Sequence, residues 1–142
     1  MSTITITRRL EIDAGHRLLK HEGKCRNYHG HRYIFEITVR ARELDDVGRV
    51  IDFSEVKRLV GGWLDENWDH GMILQQGDPL IPLLQELKLK HAVYVTSPTA
   101  ENLTEHLFNV ACNLGLFDQG IQIVGVRCFE TPNCSAEYAP LR

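Results

Sequence analysis

The chain has 142 residues, a formal net charge of −3, 43% hydrophobic and 25% charged residues. That is the length of one domain with enough chain to bury a core without covalent staples, and the expectation is a single domain over 1–142. The charge balance argues against a nucleic-acid binder or a polybasic membrane-surface segment, and no apolar run reaches transmembrane length.

From Ile4 to His16 apolar and polar residues alternate. Ile4, Ile6, Leu10, Ile12, Ala14 and His16 share one parity and Arg8 is the exception, the pattern of a half-buried strand. The same alternation makes the start of the chain unlike a signal peptide. The four cysteines, Cys25, Cys112, Cys128 and Cys134, are therefore read as reduced thiols of a cytoplasmic protein. A second strand is expected from His29 to Arg42, with His29, His31, Tyr33, Phe35, Ile37, Val39 and Ala41 on one side. Asp45-Asp46-Val47-Gly48 then supplies a turn.

From Ser54 the period becomes helical. Val56, Leu59, Val60, Trp63 and Leu64 fall on one face, Ser54 is the expected N-cap, and Gly61-Gly62 weakens the far end. Residues 69–97 read as a loop-like region punctuated by glycine and proline. A short helix between Leu80 and Lys90 and a short extended piece from Ala92 to Thr96 are expected inside it. Ser97-Pro98-Thr99-Ala100-Glu101 is a helix-start signal with a capping hydroxyl, an early proline and an acid in the first turn. Leu103, Leu107, Val110, Ala111 and Leu114 form the buried stripe, and Gly115 can close the helix. Ile121 to Glu130 and Ser135 to Ala139 then read as a hairpin around Thr131-Pro132-Asn133. The expected architecture is α+β: a four-stranded antiparallel sheet with two main helices on one face, in ββααββ order.

Seven histidines occur in the chain, two of them in Cys25-Arg26-Asn27-Tyr28-His29-Gly30-His31. An H-x-H pair on a strand aims both imidazoles at one face, roughly 7 Å apart at ~3.3 Å per residue. If the first two strands pair as an antiparallel hairpin, His16 joins them at one end of the sheet. Three protein nitrogens with a fourth position free is the donor set of a catalytic zinc. Spacing alone leaves two readings open, a metal site and a strand-end histidine cluster.

Six motifs stand in a recognisable order. They are Ala14-Gly15-His16-Arg17-Leu18, Cys25-x3-His29-Gly-His31, Val50-Ile51-Asp52-Phe53, Trp68-Asp69-His70, Pro98-Thr99-Ala100-Glu101-Asn102 and Cys128-Phe129-Glu130-Thr131. Together they resemble the 6-pyruvoyltetrahydropterin synthase / 6-carboxytetrahydropterin synthase family over residues 5–139. The resemblance implies the tunnelling fold, with subunits assembled as a homohexamer (a dimer of trimers) and active sites between them. It implies Zn2+ on His16, His29 and His31, a catalytic thiol at Cys25, and an acid/base pair at Asp69 and His70. Glu130 is implied as the anchor of a pterin ring, assisted by Glu101 beside Thr99. Without the resemblance, Cys25 also reads as an idle loop thiol, Asp69-His70 as a surface pair, Glu101 as a helix N-terminal charge and Glu130 as an exposed strand-end charge.

The three-residue gap between Cys25 and His29 resembles the bacterial 6-carboxytetrahydropterin synthases of queuosine and 7-deazapurine biosynthesis. Biopterin-type synthases usually place more residues there. A third group, acting in folate synthesis, has glutamate in place of the cysteine, and Cys25 argues against it. The implied reaction converts 7,8-dihydroneopterin triphosphate to 6-carboxytetrahydropterin with release of acetaldehyde and triphosphate. The alternatives are elimination of triphosphate to the pyruvoyl product and a non-catalytic, metal-containing pterin-binding module. The stretch 75–96 is longer than expected for the compact bacterial enzymes and directly follows Asp69-His70.

Overall fold

The computed structural model describes residues 3–141. Strand β1 (Thr5–His16) pairs antiparallel with β2 (His29–Ala41) in unbroken register, from Thr5 opposite Arg40 to His16 opposite His29. Alternation then does what the pattern requires. Leu10, Ile12, Ala14 and His16 of β1, and Tyr33, Phe35, Ile37 and Val39 of β2, are all buried on one face. Strand β5 (Ile121–Thr131) pairs antiparallel with β2, and β6 (Cys134–Tyr138) with β5, so the expected C-terminal hairpin forms.

The sheet is larger and less uniform than the sequence pattern suggests. It has six strands in the order β4-β3-β1-β2-β5-β6, and two of them run parallel to their neighbours. Strand β3 (Met72–Gln75) lies parallel to β1 through Gly15–Met72 and His16–Ile73, and β4 (His91–Tyr94) lies parallel to β3. This corrects the expected four-stranded antiparallel sheet and the loop-like reading of residues 69–97. A parallel neighbour needs a crossover of about a dozen residues or more. The long stretch after Gln75 supplies it and includes helix α3 (Ile81–Glu86), within the expected Leu80–Lys90 helix.

The first helical region runs without a break from 53 to 67, as α1 (Phe53–Val56), a π-helical turn (Lys57–Gly61) and α2 (Gly62–Asn67). Its cap is Asp52, whose carboxylate accepts from the Ser54 N–H at 2.8 Å and from the Ser54 hydroxyl, which is the expected cap. Val56, Val60, Leu64 and Trp68 are fully buried at a strict four-residue spacing. In a pure α-helix that spacing would drift by about 120° over three steps, and a wider π turn takes up drift of this sense. The helix runs through Gly61-Gly62 without ending there, although a Cβ on Gly61 would stand at ordinary van der Waals distance, 3.4 Å, from Leu10 Cδ2 and one on Gly62 would meet nothing within 4 Å. Helix α4 (Ala100–Ala111) is capped by Thr99, whose hydroxyl accepts the Asn102 N–H at 3.1 Å. It buries Leu103, Leu107 and Ala111 against the same sheet face. No helix among the described residues is long and apolar enough to cross a membrane.

Residues 17–28 connect β1 to β2, and the crossover after β3 reaches over to hold them. Asp78 is only 2% exposed. Its carboxylate accepts from Arg17 Nε at 2.6 Å, from the Tyr28 hydroxyl at 2.6 Å and from the Leu80 N–H at 2.9 Å. Burial alone would raise the Asp78 pKa, but these donors outweigh it and hold the carboxyl below the usual range. A carboxyl depressed by folding stabilises above its unfolded pKa of about 4 and loses that contribution as pH falls through the folded value. Asp78→Asn is therefore expected to cost about 1.5–3 kcal/mol at pH 7. Urea denaturation across the acid range is expected to show this gap closing below about pH 4, where the wild-type carboxyl takes up its own proton.

Candidate active site

The β1–β2 register decides where the histidines go. Opposing residues stand His16 against His29 and Ala14 against His31, so the three imidazoles meet at the end of the sheet. Their ligating nitrogens all lie within 4.8 Å of one another. Gly30 eases the close approach of the strands at this point, since a Cβ there would sit 3.1 Å from the backbone oxygen of Ala14 and push the two apart by a few tenths of an ångström.

The surroundings of the rings fix their tautomers. His16 Nδ1 is 2.8 Å from the carbonyl oxygen of Pro98, and His29 Nδ1 is 2.7 Å from that of Asn27. A carbonyl only accepts, so each Nδ1 carries a proton, and in the neutral form of each ring Nε2 keeps a free lone pair. Those two Nε2 atoms face each other at 3.0 Å. His31 Nε2 is buried and makes no hydrogen bond, and burial pushes its pKa down. The Glu130 carboxylate adds negative charge, with Oε1 at 3.2 Å from Nε2 of both His16 and His31. Converging lone pairs beside a carboxylate repel unless a cation stands among them. The donor set thus fits a divalent metal, with backbone carbonyls orienting two of the ligands from behind.

The other expected residues are distributed around this centre. Cys25 occupies a short 3₁₀ turn (Lys24–Arg26) in the loop whose two ends carry His16 and His29. It is partly exposed and outside the three-histidine group. Thr99 and Glu101 lie at the start of α4, next to the Pro98 carbonyl that orients His16. Asp69 and His70 form a pair, with His70 Nδ1 donating to Asp69 Oδ2 at 2.7 Å. His70 stands in the left-handed region at φ 58°, a conformation uncommon outside glycine, and its N–H donates to the Asp13 carbonyl at 2.7 Å. The Asp69 carboxylate accepts the Asp13 N–H at 3.0 Å in return. The His70 side chain is 76% exposed and lies outside the three-histidine group, although His70 and His31 line one open surface cavity together with Asp13 and Lys90.

Two residues were not singled out by sequence reasoning. Tyr33 continues the His29-His31 parity, and its buried hydroxyl has no hydrogen-bond partner. Cys128 lies two residues before Glu130 on the same face, and burial pushes its thiol up to about 12, with Glu130 adding to the effect. Strand parity could have placed both beside the site, although nothing in their residue types set them apart from core. The geometry predicts that a divalent-metal titration followed by calorimetry finds one ion per chain. His29→Ala is expected to weaken binding about 100-fold or more, and Gly30→Ala to weaken it less while the protein stays folded.

The model of one protein family, 6-pyruvoyl tetrahydropterin synthase, matches residues 5–140. A protein of Rickettsia bellii named 6-carboxy-5,6,7,8-tetrahydropterin synthase is 45% identical over 136 residues, covering 94% of this chain and 99% of that one. A Bacillus subtilis protein of the same name is 30% identical over 133 residues, covering 92% of this chain and 82% of its own. Among solved structures, an uncharacterized protein from Wolinella succinogenes superposes with a TM-score of 0.85 at 22% identity, covering 98% of this chain and 99% of that chain. The Caenorhabditis elegans 6-pyruvoyl tetrahydropterin synthase superposes with a TM-score of 0.72 at 25% identity, covering 99% and 98%. On the strength of the match along nearly its whole length, the chain belongs to the 6-pyruvoyl tetrahydropterin synthase family.

Proposed function

We propose that the protein is a zinc-dependent lyase that converts 7,8-dihydroneopterin triphosphate and water to 6-carboxy-5,6,7,8-tetrahydropterin, acetaldehyde and triphosphate. The observation that carries the metal-dependent reading is the facing pair of Nε2 atoms on His16 and His29, with each ring held at Nδ1 by a backbone carbonyl. The carboxy product is favoured over the pyruvoyl one by relatives of that name at 40–45% identity over 94% of the chain. The three-residue gap between Cys25 and His29 agrees with that reading. The reaction would serve queuosine or other 7-deazapurine biosynthesis in the cytoplasm.

A bound zinc ion supplies a Lewis acid for the hydroxyl oxygens of the substrate side chain. The remaining roles fall to side chains. Cys25 removes a proton from a hydroxyl-bearing carbon, and His70, oriented by Asp69, moves protons through its outward Nε2. Glu130 accepts hydrogen bonds from the pterin ring, with Thr99 and Glu101 at the adjoining helix start. The exposure of His70 and its place outside the three-histidine group support a shared site, in which Asp69 and His70 of one subunit serve the histidines and Cys25 of another. A homohexamer would provide it.

Metal-loaded protein incubated without oxygen with the triphosphate substrate is expected to yield the carboxy product and an equal amount of acetaldehyde, read by mass spectrometry and an aldehyde assay. Cys25→Ala is expected to lower kcat by about 10²–10⁴-fold. A pyruvoyl product without acetaldehyde would move the assignment to the other branch of the family, and turnover unchanged in Cys25→Ala would remove the thiol from the chemistry. The shared site has its own check. Subunits carrying Cys25→Ala and subunits carrying His70→Ala, each inactive alone, are expected to regain activity when dissociated and reassembled together.

A further inference from the structure

The loop that carries Cys25 has its two ends tied to a single buried carboxylate. Arg17 is the first residue after the ligand His16, and Tyr28 is the last before the ligand His29. Asp78 takes the Arg17 Nε–H on one oxygen and the Tyr28 hydroxyl on the other, each at 2.6 Å. The Arg17 guanidinium also lies over the Tyr28 ring, 4.5 Å from its centroid, so the two residues are held to each other as well as to Asp78. The tie continues inward. Arg17 Nη1 donates to the Arg26 carbonyl at 3.4 Å, and the Leu18 N–H donates to the Cys25 carbonyl at 2.9 Å. Cys25 itself and the next residue, Arg26, are thereby connected to the carboxylate through Arg17 and its neighbour Leu18.

Burying a carboxylate is costly unless each oxygen is matched by donors, and here each oxygen is. The strands already fix His16 and His29 by twelve paired positions, from Thr5 opposite Arg40 to His16 opposite His29. The metal ligands therefore do not need this network. The loop between them does, because the paired strands stop at its ends and its only helical turn is three residues long.

We propose that Asp78 is a positioning residue for the Cys25 thiol. The crossover between β3 and β4 contributes it, and it sets the geometry of the cysteine loop through Arg17 and Tyr28. The proposal rests on the assignment of Cys25 to the reaction, and its test includes a readout that does not depend on turnover.

Full-length, metal-loaded wild type, Asp78→Asn and Tyr28→Phe are treated with iodoacetamide, and the alkylation of each cysteine is followed by peptide mass spectrometry. Cys112 and Cys134, both exposed, serve as internal references. Freeing the loop is expected to change the Cys25 rate by about threefold or more, with both references unchanged. In the same proteins kcat for dihydroneopterin triphosphate is expected to fall by about 10- to 100-fold, with KM and metal content held. Tyr28→Phe removes one donor and keeps the ring, so it carries the test with the same readouts if Asp78→Asn fails to fold. Wild-type Cys25 reactivity and kcat in the folded variants would overturn the proposal, as would loss of activity in step with loss of metal. If the wild type does not turn over the substrate, the functional assignment fails by itself and the alkylation ratio still decides whether Asp78 holds the loop.

Discussion

The antiparallel register between β1 and β2 is the constraint on which the rest of the molecule depends. It places His16 opposite His29 and Ala14 opposite His31, so three imidazoles share the face that the core occupies. A slip of one residue would turn β2's histidines to the opposite side from His16 and expose Tyr33, Phe35 and Ile37 together. The apolar residues farther along the strands therefore stabilise the ligand geometry, because the same alternation serves both. Burial of Leu10, Ile12, Phe35 and Ile37 sets the register, and the histidines inherit it.

Around that centre the fold supplies fixed partners from distant parts of the chain. The carbonyl of Pro98, just before helix α4, accepts a hydrogen bond from His16 Nδ1–H, and the cap at Thr99 holds the helix start in place. The β5 strand brings Glu130 and Cys128 to the same end. Asp69 and His70 sit at the turn into β3, on backbone bonds to Asp13 just upstream of His16. These groups combine metal-ligating nitrogens, a carboxylate, a separate thiol loop and an exposed imidazole–carboxylate pair. Within a family of pterin synthases, that separation gives physical content to the proposal that subunits complete one another's sites.

Long periodic segments were legible in the sequence. Alternation from Ile4 to His16 and from His29 to Arg42 located β1 and β2 nearly to the residue, and the apolar stripe from Leu103 to Ala111 located α4. The three-histidine convergence followed from parity and a hairpin assumption. Strand β4 was legible only as a short extended piece from Ala92 to Thr96, and strand β3 was not legible, nor was the parallel pairing of either. Each is four residues long, too short for alternation to be distinguished from a buried loop, and each is recruited by a parallel neighbour distant in sequence. The helix at 53–67 was legible in its face and not in its winding, because the apolar spacing fits an α-helix and no residue type marks the π turn at Lys57–Gly61. Asp78 gave no signal, since an aspartate after a glycine reads as an ordinary turn residue and only the tertiary fold buries it.

The twelve-residue connection from 17 to 28 leaves from and returns to strand ends already paired with each other. Lengthening such a loop adds little closure entropy, about 0.6 kcal/mol for each doubling, because the strands bear the cost of bringing its ends together. Insertions and deletions there are thus almost free for the ligand geometry, while they move whatever reactive group the loop presents relative to the ligands. A scaffold of this kind can diversify its chemistry by changing the length of one segment, with the ion-holding end of the sheet left as it is.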